Sequence, residues 1–275
     1  GLDDRVTIAS MATEMGAIII LFPPNEEVIA YCSERTGVDF EAVYADDDAV
    51  YAEITDLDAT TFRPMLARPG KPHDTVPVDE SAGTKIDSAF IGSCTNGRIG
   101  DMRAAAKVLR NRKVAPGVVL KIVPATDEVW NKCLSEGIID IFKNAGALVS
   151  NAGCAGCAAG QVGQNGPGEI TISTGNRNFP GKQGKGSVYL ASPATVAASA
   201  VAGLIANEDN IPAEPAKFVS TTKKDKTGAA EKRAAQEDRP EVLKGRCWLI
   251  GLDNIDTDMI FHNRYLSITD INEMG

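Results

Sequence analysis

Two of the chain's cysteines, Cys154 and Cys157, stand two residues apart in Gly153-Cys-Ala-Gly-Cys157. That spacing suits a redox disulfide, a zinc site or iron–sulfur ligation equally. The flanks Asn151-Ala-Gly153 and Ala158-Ala-Gly160 are small, so backbone can approach a bulky inorganic group and offer it N–H donors. A third cysteine, Cys94, sits in a comparable loop, Gly92-Ser-Cys-Thr-Asn-Gly-Arg98. Three thiolates from two loops point to a [4Fe-4S] cluster with one iron left open, because such a cube ordinarily takes four cysteines. An open iron is a Lewis acid that polarises a bound hydroxyl. A three-cysteine zinc site needs a fourth ligand, and the chain offers only His73 and His262. Cys32, Cys133 and Cys247 fall in helix- or strand-like stretches and read as apolar filler.

The segments around these loops alternate. Residues 86–91 form a buried-strand pattern, 92–100 a glycine-containing loop, and Asp101 is expected to cap a helix running to about residue 110. A strand over 118–123, helices over 126–135 and 138–143, and a strand over 147–150 follow, before the small-residue loop 151–160. Further strands are expected over 169–173 and 187–191, then an Ala-rich helix from Pro193 to about 206. Alternation of this kind implies an α/β fold, three-layer αβα domains with mainly parallel sheets. Ligands of such sheets gather at the loops beyond the strand C-termini, where Cys94, Cys154 and Cys157 fall. Upstream, a helix is expected around 8–15, a short strand over 17–22, a helix over 26–36 and a strand-like piece over 49–54.

At 275 residues, with 43% apolar and 24% charged side chains, the chain can bury a full core without disulfide staples. No apolar run approaches the roughly 20 residues of a membrane span, and no secretory signal opens the chain, so no membrane partner is expected. A net charge of −9 argues against nucleic acid as a partner, since that affinity rests on clustered Lys and Arg. The scattered cysteines indicate a reducing compartment, hence a cytoplasmic location.

Gly92-Ser-Cys-Thr-Asn-Gly-Arg98, Gly153-Cys-Ala-Gly-Cys157 and Thr174-Gly-Asn-Arg-Asn-Phe179 occur in order. Together they resemble the cluster and substrate motifs of the aconitase and 3-isopropylmalate dehydratase superfamily. The resemblance implies a hydro-lyase that dehydrates and rehydrates a hydroxy di- or tricarboxylate, with a small carboxylate as partner. It makes Cys94, Cys154 and Cys157 the cluster ligands and sets Arg177 on a substrate carboxylate, as a guanidinium fork suits. Lys182 stands where relatives commonly carry a second arginine. Asn96 and Asn176 become substrate-side or loop-shaping amides, and Glu14 a carboxylate that helps handle the departing hydroxyl, although Ser10 stands where several relatives have Asn.

The likeness extends over most of 1–206, and 245–266 resembles the start of that superfamily's swivelling fourth domain, with Asp258 and Arg264 at its edge. The expected organisation is therefore the end of a preceding α/β domain (1–80), a third αβα domain carrying the cluster cysteines (81–207), a charged linker (208–244), and the beginning of a swivelling β/α domain (245–275). The apparent joining of that domain favours aconitate hydratase, with 3-isopropylmalate or homoaconitate dehydratase as the alternative. An iron-responsive RNA-binding role, which some relatives take, is a further alternative. The serine base of a later Gly-Ser-Ser-Arg-like segment is absent from these residues. The fragment by itself is thus expected to be inactive and to need further domains or a small subunit.

Overall fold

The computed structural model describes residues 1–217. Two helices open the chain, α1 (Leu2–Ser10) and α2 (Glu26–Thr36). Asn25 caps α2 by accepting the Val28 N–H at 3.1 Å, and Gly37 ends it at a left-handed φ of 70°. Then come β1 (Met65–Ala67), β2 (Thr75–Pro77), β3 (Ser88–Gly92), α3 (Ile99–Leu109), β4 (Val119–Val123), α4 (Asp127–Ser135), α5 (Ile138–Ala145), β5 (Leu148–Val149), β6 (Ile170–Ser173), β7 (Ser187–Ala191) and α6 (Pro193–Ala202).

The seven strands of the described residues form one sheet in the order β2-β1-β7-β6-β3-β4-β5. Strands β3 to β7 pair in parallel, whereas β1 joins β7 and β2 antiparallel. The chain lays β4 and β5 on one side of β3 and then returns to place β6 on the other. The order reverses between β3 and β6, and a crevice opens beyond the C-terminal ends of strands at such a point.

Period-2 alternation gives the sheet two different faces. Ala89 and Ile91 of β3, Leu120 and Ile122 of β4 and Ile172 of β6 pack with Met102, Ala105, Ala106 and Leu109 of α3 and Val196, Ala197 and Ala200 of α6. Each large side chain buried there contributes on the order of 2 kcal/mol. The opposite face carries Phe90 and Val123, clustered with Ala155, and the buried hydroxyls of Ser88, Thr171 and Ser173. That second face holds the segment following β5.

Several local expectations change. Residues 17–22 form no strand, and Ile18, Ile19 and Leu21 are exposed; an apolar run becomes a strand only where another strand supplies hydrogen bonds. Residues 49–54 are likewise irregular, with Val50, Tyr51 and Ile54 exposed. The helix expected around 8–15 is displaced, since α1 stops at Ser10 and only a 3-10 turn covers Thr13–Met15. Asp101 lies inside α3 and accepts the Arg98 N–H at 2.9 Å rather than preceding the helix. Helix α6 ends at Gly203, whose φ of 79° favours a residue without Cβ. Strands β1 and β2 come from before the boundary expected at residue 80 and enter the same sheet.

Candidate functional site

The loop after β3 is shaped by close backbone approach. Gly92 has φ 147°, and a Cβ there would lie 2.1 Å from the Val123 carbonyl oxygen. Thr174, just past β6, clamps the same residue: its Oγ1 accepts the Gly92 N–H at 2.9 Å and donates to the Gly92 carbonyl at 3.1 Å. The next residue, Ser93, has a positive φ of 90°, unusual for a side chain with Cβ. The turn leaves Cys94 exposed above the strand end.

The loop after β5 begins where Trp130 of α4 donates its indole N–H to the Ser150 carbonyl at 3.2 Å. Residues Ala155–Cys157 form a 3-10 turn, with Cys154 exposed and Cys157 half-buried. Cys94, Cys154 and Cys157 are all free thiols. Burial raises the Cys157 pKa, and so do the neighbouring Cys154 and Cys94, against the pull of Arg177 and Lys182. Cys94 is likewise raised, first by burial and then by Cys154. Cys94, Cys154, Arg177 and Lys182 therefore all lie near enough to act on the Cys157 thiol.

The loop after β6 supplies the remaining groups. Asn176 Oδ1 accepts from Asn96 Nδ2 at 2.8 Å and from Thr95 Oγ1 at 3.0 Å, while its Nδ2 donates to Ser10 Oγ at 3.0 Å. Asn96 Nδ2 also donates to the Thr174 carbonyl, and its Oδ1 accepts from Thr7 Oγ1 at 2.9 Å. These amides bridge the two loops across the crevice and tie both to α1. Arg177 donates Nε–H to Glu14, whose side chain is 5% exposed against 38% for the arginine. That hydrogen bond is the leading cause of the raised Arg177 pKa. Asn178 fastens the loop to the segment after β1 by donating to the Arg68 carbonyl at 2.6 Å. Half-buried Lys182 follows a turn closed by its N–H on the Phe179 carbonyl at 3.0 Å.

Cys94, Cys154, Cys157, Asn96, Asn176, Arg177, Lys182 and Glu14 thus gather beyond the strand C-termini. Asp258 and Arg264, also expected at the site, lie outside the described residues. Sequence reasoning missed Thr7, Thr95 and Thr174, whose hydroxyls complete the bridge. Thr95 and Thr174 stand inside the motifs that carry Cys94 and Arg177, whereas Thr7 offered no local signal.

The donor set suits an iron–sulfur cube. Among the described residues, no group of three or more His, Cys, Asp or Glu side chains could hold a metal ion. In a cube each cysteine ligates a different iron, so the thiols need not converge on a point. Three thiols, small flanking residues and nearby cations to offset thiolate charge meet that requirement. Among the described residues no helix is long and apolar enough to cross a membrane.

A mainly parallel α/β sheet with thiols, amides and a guanidinium beyond its strand C-termini defines a ligand-binding α/β protein. Residues 1–203 match the model of the Aconitase family (aconitate hydratase). The chain is 44% identical over 212 residues to the 3-isopropylmalate dehydratase large subunit of Sulfurihydrogenibium sp. (strain YO3AOP1), covering 76% of this chain and 49% of that protein. The same-named subunit of Clostridium kluyveri is 44% identical over 212 residues, covering 76% and 50%. That of Aquifex aeolicus is 43% identical over 217 residues, covering 76% and 50%. This chain belongs to the aconitase family. It spans about half the length of the curated relatives it matches.

Proposed function

We propose that this chain is the cluster-bearing part of a hydro-lyase acting on an acid of the 3-isopropylmalate type. The observation that carries the reading is that Cys94, Cys154, Cys157 and Arg177 lie in the loops that follow β3, β5 and β6, beyond the C-terminal ends of parallel strands of one sheet. The relatives named as 3-isopropylmalate dehydratase large subunits support this acid over the citrate and isocitrate favoured by the apparent domain fusion.

In this reading the three cysteines hold a [4Fe-4S] cluster, which supplies a Lewis acid for the departing hydroxyl. Arg177, its Nε engaged by Glu14, keeps terminal N–H groups for a substrate carboxylate. Lys182 adds a second cation without a planar fork. Glu14 acts mainly by fixing Arg177, and Asn96 with Asn176 holds the two loops in register. Dehydration breaks one C–O and one C–H bond, forms a C=C bond and releases water. The base that takes the proton is assigned to the rest of a longer polypeptide.

The cluster-bearing domain runs back to Met65, to include β1 and β2; 208–244 is a linker and 245–275 opens a swivelling domain with Asp258 and Arg264 at its edge. A small subunit or a continuation of the chain completes the site, as the name "large subunit" of the relatives supports.

The test is anaerobic reconstitution of the full-length protein with its partner, followed by assay on isopropylmalate and on citrate. The expected result is bound iron and sulfide with turnover of isopropylmalate. Turnover of citrate alone would return the assignment to aconitate hydratase, and absence of iron and sulfide would remove the cluster.

A further inference from the structure

Ala155, between the two paired cysteines, is buried at φ 52°. A left-handed conformation costs a residue with Cβ about 1–2 kcal/mol and persists only where its surroundings hold it. Two glutamines do so here. Gln161 Oε1 accepts the Ala155 N–H at 3.0 Å, and Gln164 Nε2 donates to the Gly156 carbonyl at 2.6 Å. Both residues between Cys154 and Cys157 therefore have a peptide group tied to a neutral side chain.

The clamp is anchored on the polar face of the sheet. Lys121 of β4 donates Nζ–H to the Gln164 carbonyl at 2.8 Å, and Asn165 donates to Thr171 of β6 at 3.1 Å. A third glutamine, buried Gln183, accepts from Ser173 Oγ at 2.9 Å and donates to the Gly163 carbonyl at 3.0 Å. It also limits the space at Gly156, where a Cβ would meet its side chain at 3.1 Å. Gln183 follows Lys182 directly, so it links the cysteine turn to the loop that carries Lys182 and Arg177.

Resting on the cluster reading above, we propose that Gln161 and Gln164 are positioning residues that lock the cysteine turn in its cluster-holding shape, with Gln183 coupling that turn to the substrate-side loop. Side-chain amides suit the task, because one supplies an acceptor for a peptide N–H and the other a donor for a peptide carbonyl.

The two glutamines differ in hydrogen-bond direction, and that difference is the test. In the reconstituted full-length protein, the rate of cluster loss to a ferrous chelator is followed by absorbance for Q161E, Q164E, Q161A and Q161A/A155G. Q164E is expected to lose its cluster at least about tenfold faster than wild type, since a carboxylate cannot donate to the Gly156 carbonyl. Q161E keeps its acceptor and is expected to stay within about threefold. Q161A is expected to lose the cluster quickly and A155G to restore it, because glycine adopts positive φ without strain. If Q164E does not fold, the comparison of Q161A with Q161A/A155G decides. Equal losses in Q161E and Q164E would show a charge effect and overturn the clamp, as would wild-type retention in every variant. A wild type that takes up no cluster overturns the cluster reading, and the clamp with it.

Discussion

Glu14 and Arg177, 163 positions apart in the chain, are joined through the guanidinium Nε, with the carboxylate buried and the arginine partly exposed. The pairing orients the guanidinium through its inner edge and leaves the outer edge for another anion. Replacing Glu14 with Ala should lower kcat/KM of the full-length protein roughly 10- to 100-fold, mainly through KM, as expected for loss of a charge-assisted hydrogen bond. Glu14→Gln keeps an acceptor for Nε–H and should cost less. Steady-state kinetics provide the check, and a pure kcat effect in both variants would instead place Glu14 in the chemical step.

The cysteines should divide sharply. Cys94→Ser, Cys154→Ser and Cys157→Ser should each abolish or strongly reduce bound iron and sulfide after anaerobic reconstitution of the full-length protein. Cys133→Ser should leave both unchanged, because Cys133 is fully buried in the core and its thiol is pushed up to about 11, chiefly by burial. Colorimetric iron and sulfide determination distinguishes the two groups. Loss of iron on replacing Cys133 would show that the ligand set is wrong.

Gly92→Ala should damage the Cys94 loop more than its size suggests. Its Cβ would meet the Val123 carbonyl oxygen at 2.1 Å, a contact that only backbone displacement relieves. A loss on the order of 3 kcal/mol or failure to fold is expected, measured by urea unfolding followed by circular dichroism. Gly117→Ala is the control, since no atom lies within 4 Å of its added Cβ, although its φ of 86° still carries some strain.

Asp101 gives a pH signature. Burial raises its pKa from 3.8 to about 6, with Asp3 and Asp4 adding to the shift against the Arg98 N–H and charge. The folded chain therefore holds this proton more tightly than the unfolded one. Its contribution to stability is complete below about pH 4 and disappears as pH rises through 6. Asp101→Asn keeps an acceptor for the Arg98 N–H and should flatten that slope, with a gain on the order of 1 kcal/mol above pH 6. Urea midpoints at pH 5 and 8 test this; parallel pH responses in the two proteins would exonerate Asp101.

The elements around the site were legible because each is announced locally. Asn25 and Thr126 cap their helices, Pro193 opens α6, and the β3, β4 and β7 strands carry apolar patterns bounded by glycine or proline. The three-residue strands β1 and β2 were not legible. They are too short for periodicity to register and exist because β7 offers β1 an edge. The apolar run at 17–22 failed for the opposite reason, having the composition of a strand and no partner among the described residues.

By itself the sequence determined the alternation of strands and helices, and hence the loops that carry Cys94, Cys154, Cys157 and Arg177, because hydrophobic periodicity and turn residues act over a few positions. Only the tertiary structure decided that β3 and β6 are neighbours, that Asn96 meets Asn176, that Glu14 holds Arg177 and that Gln161 and Gln164 grip the cysteine turn. Strand order and side-chain pairing across many positions depend on how the whole sheet packs, and no local pattern of residues records them.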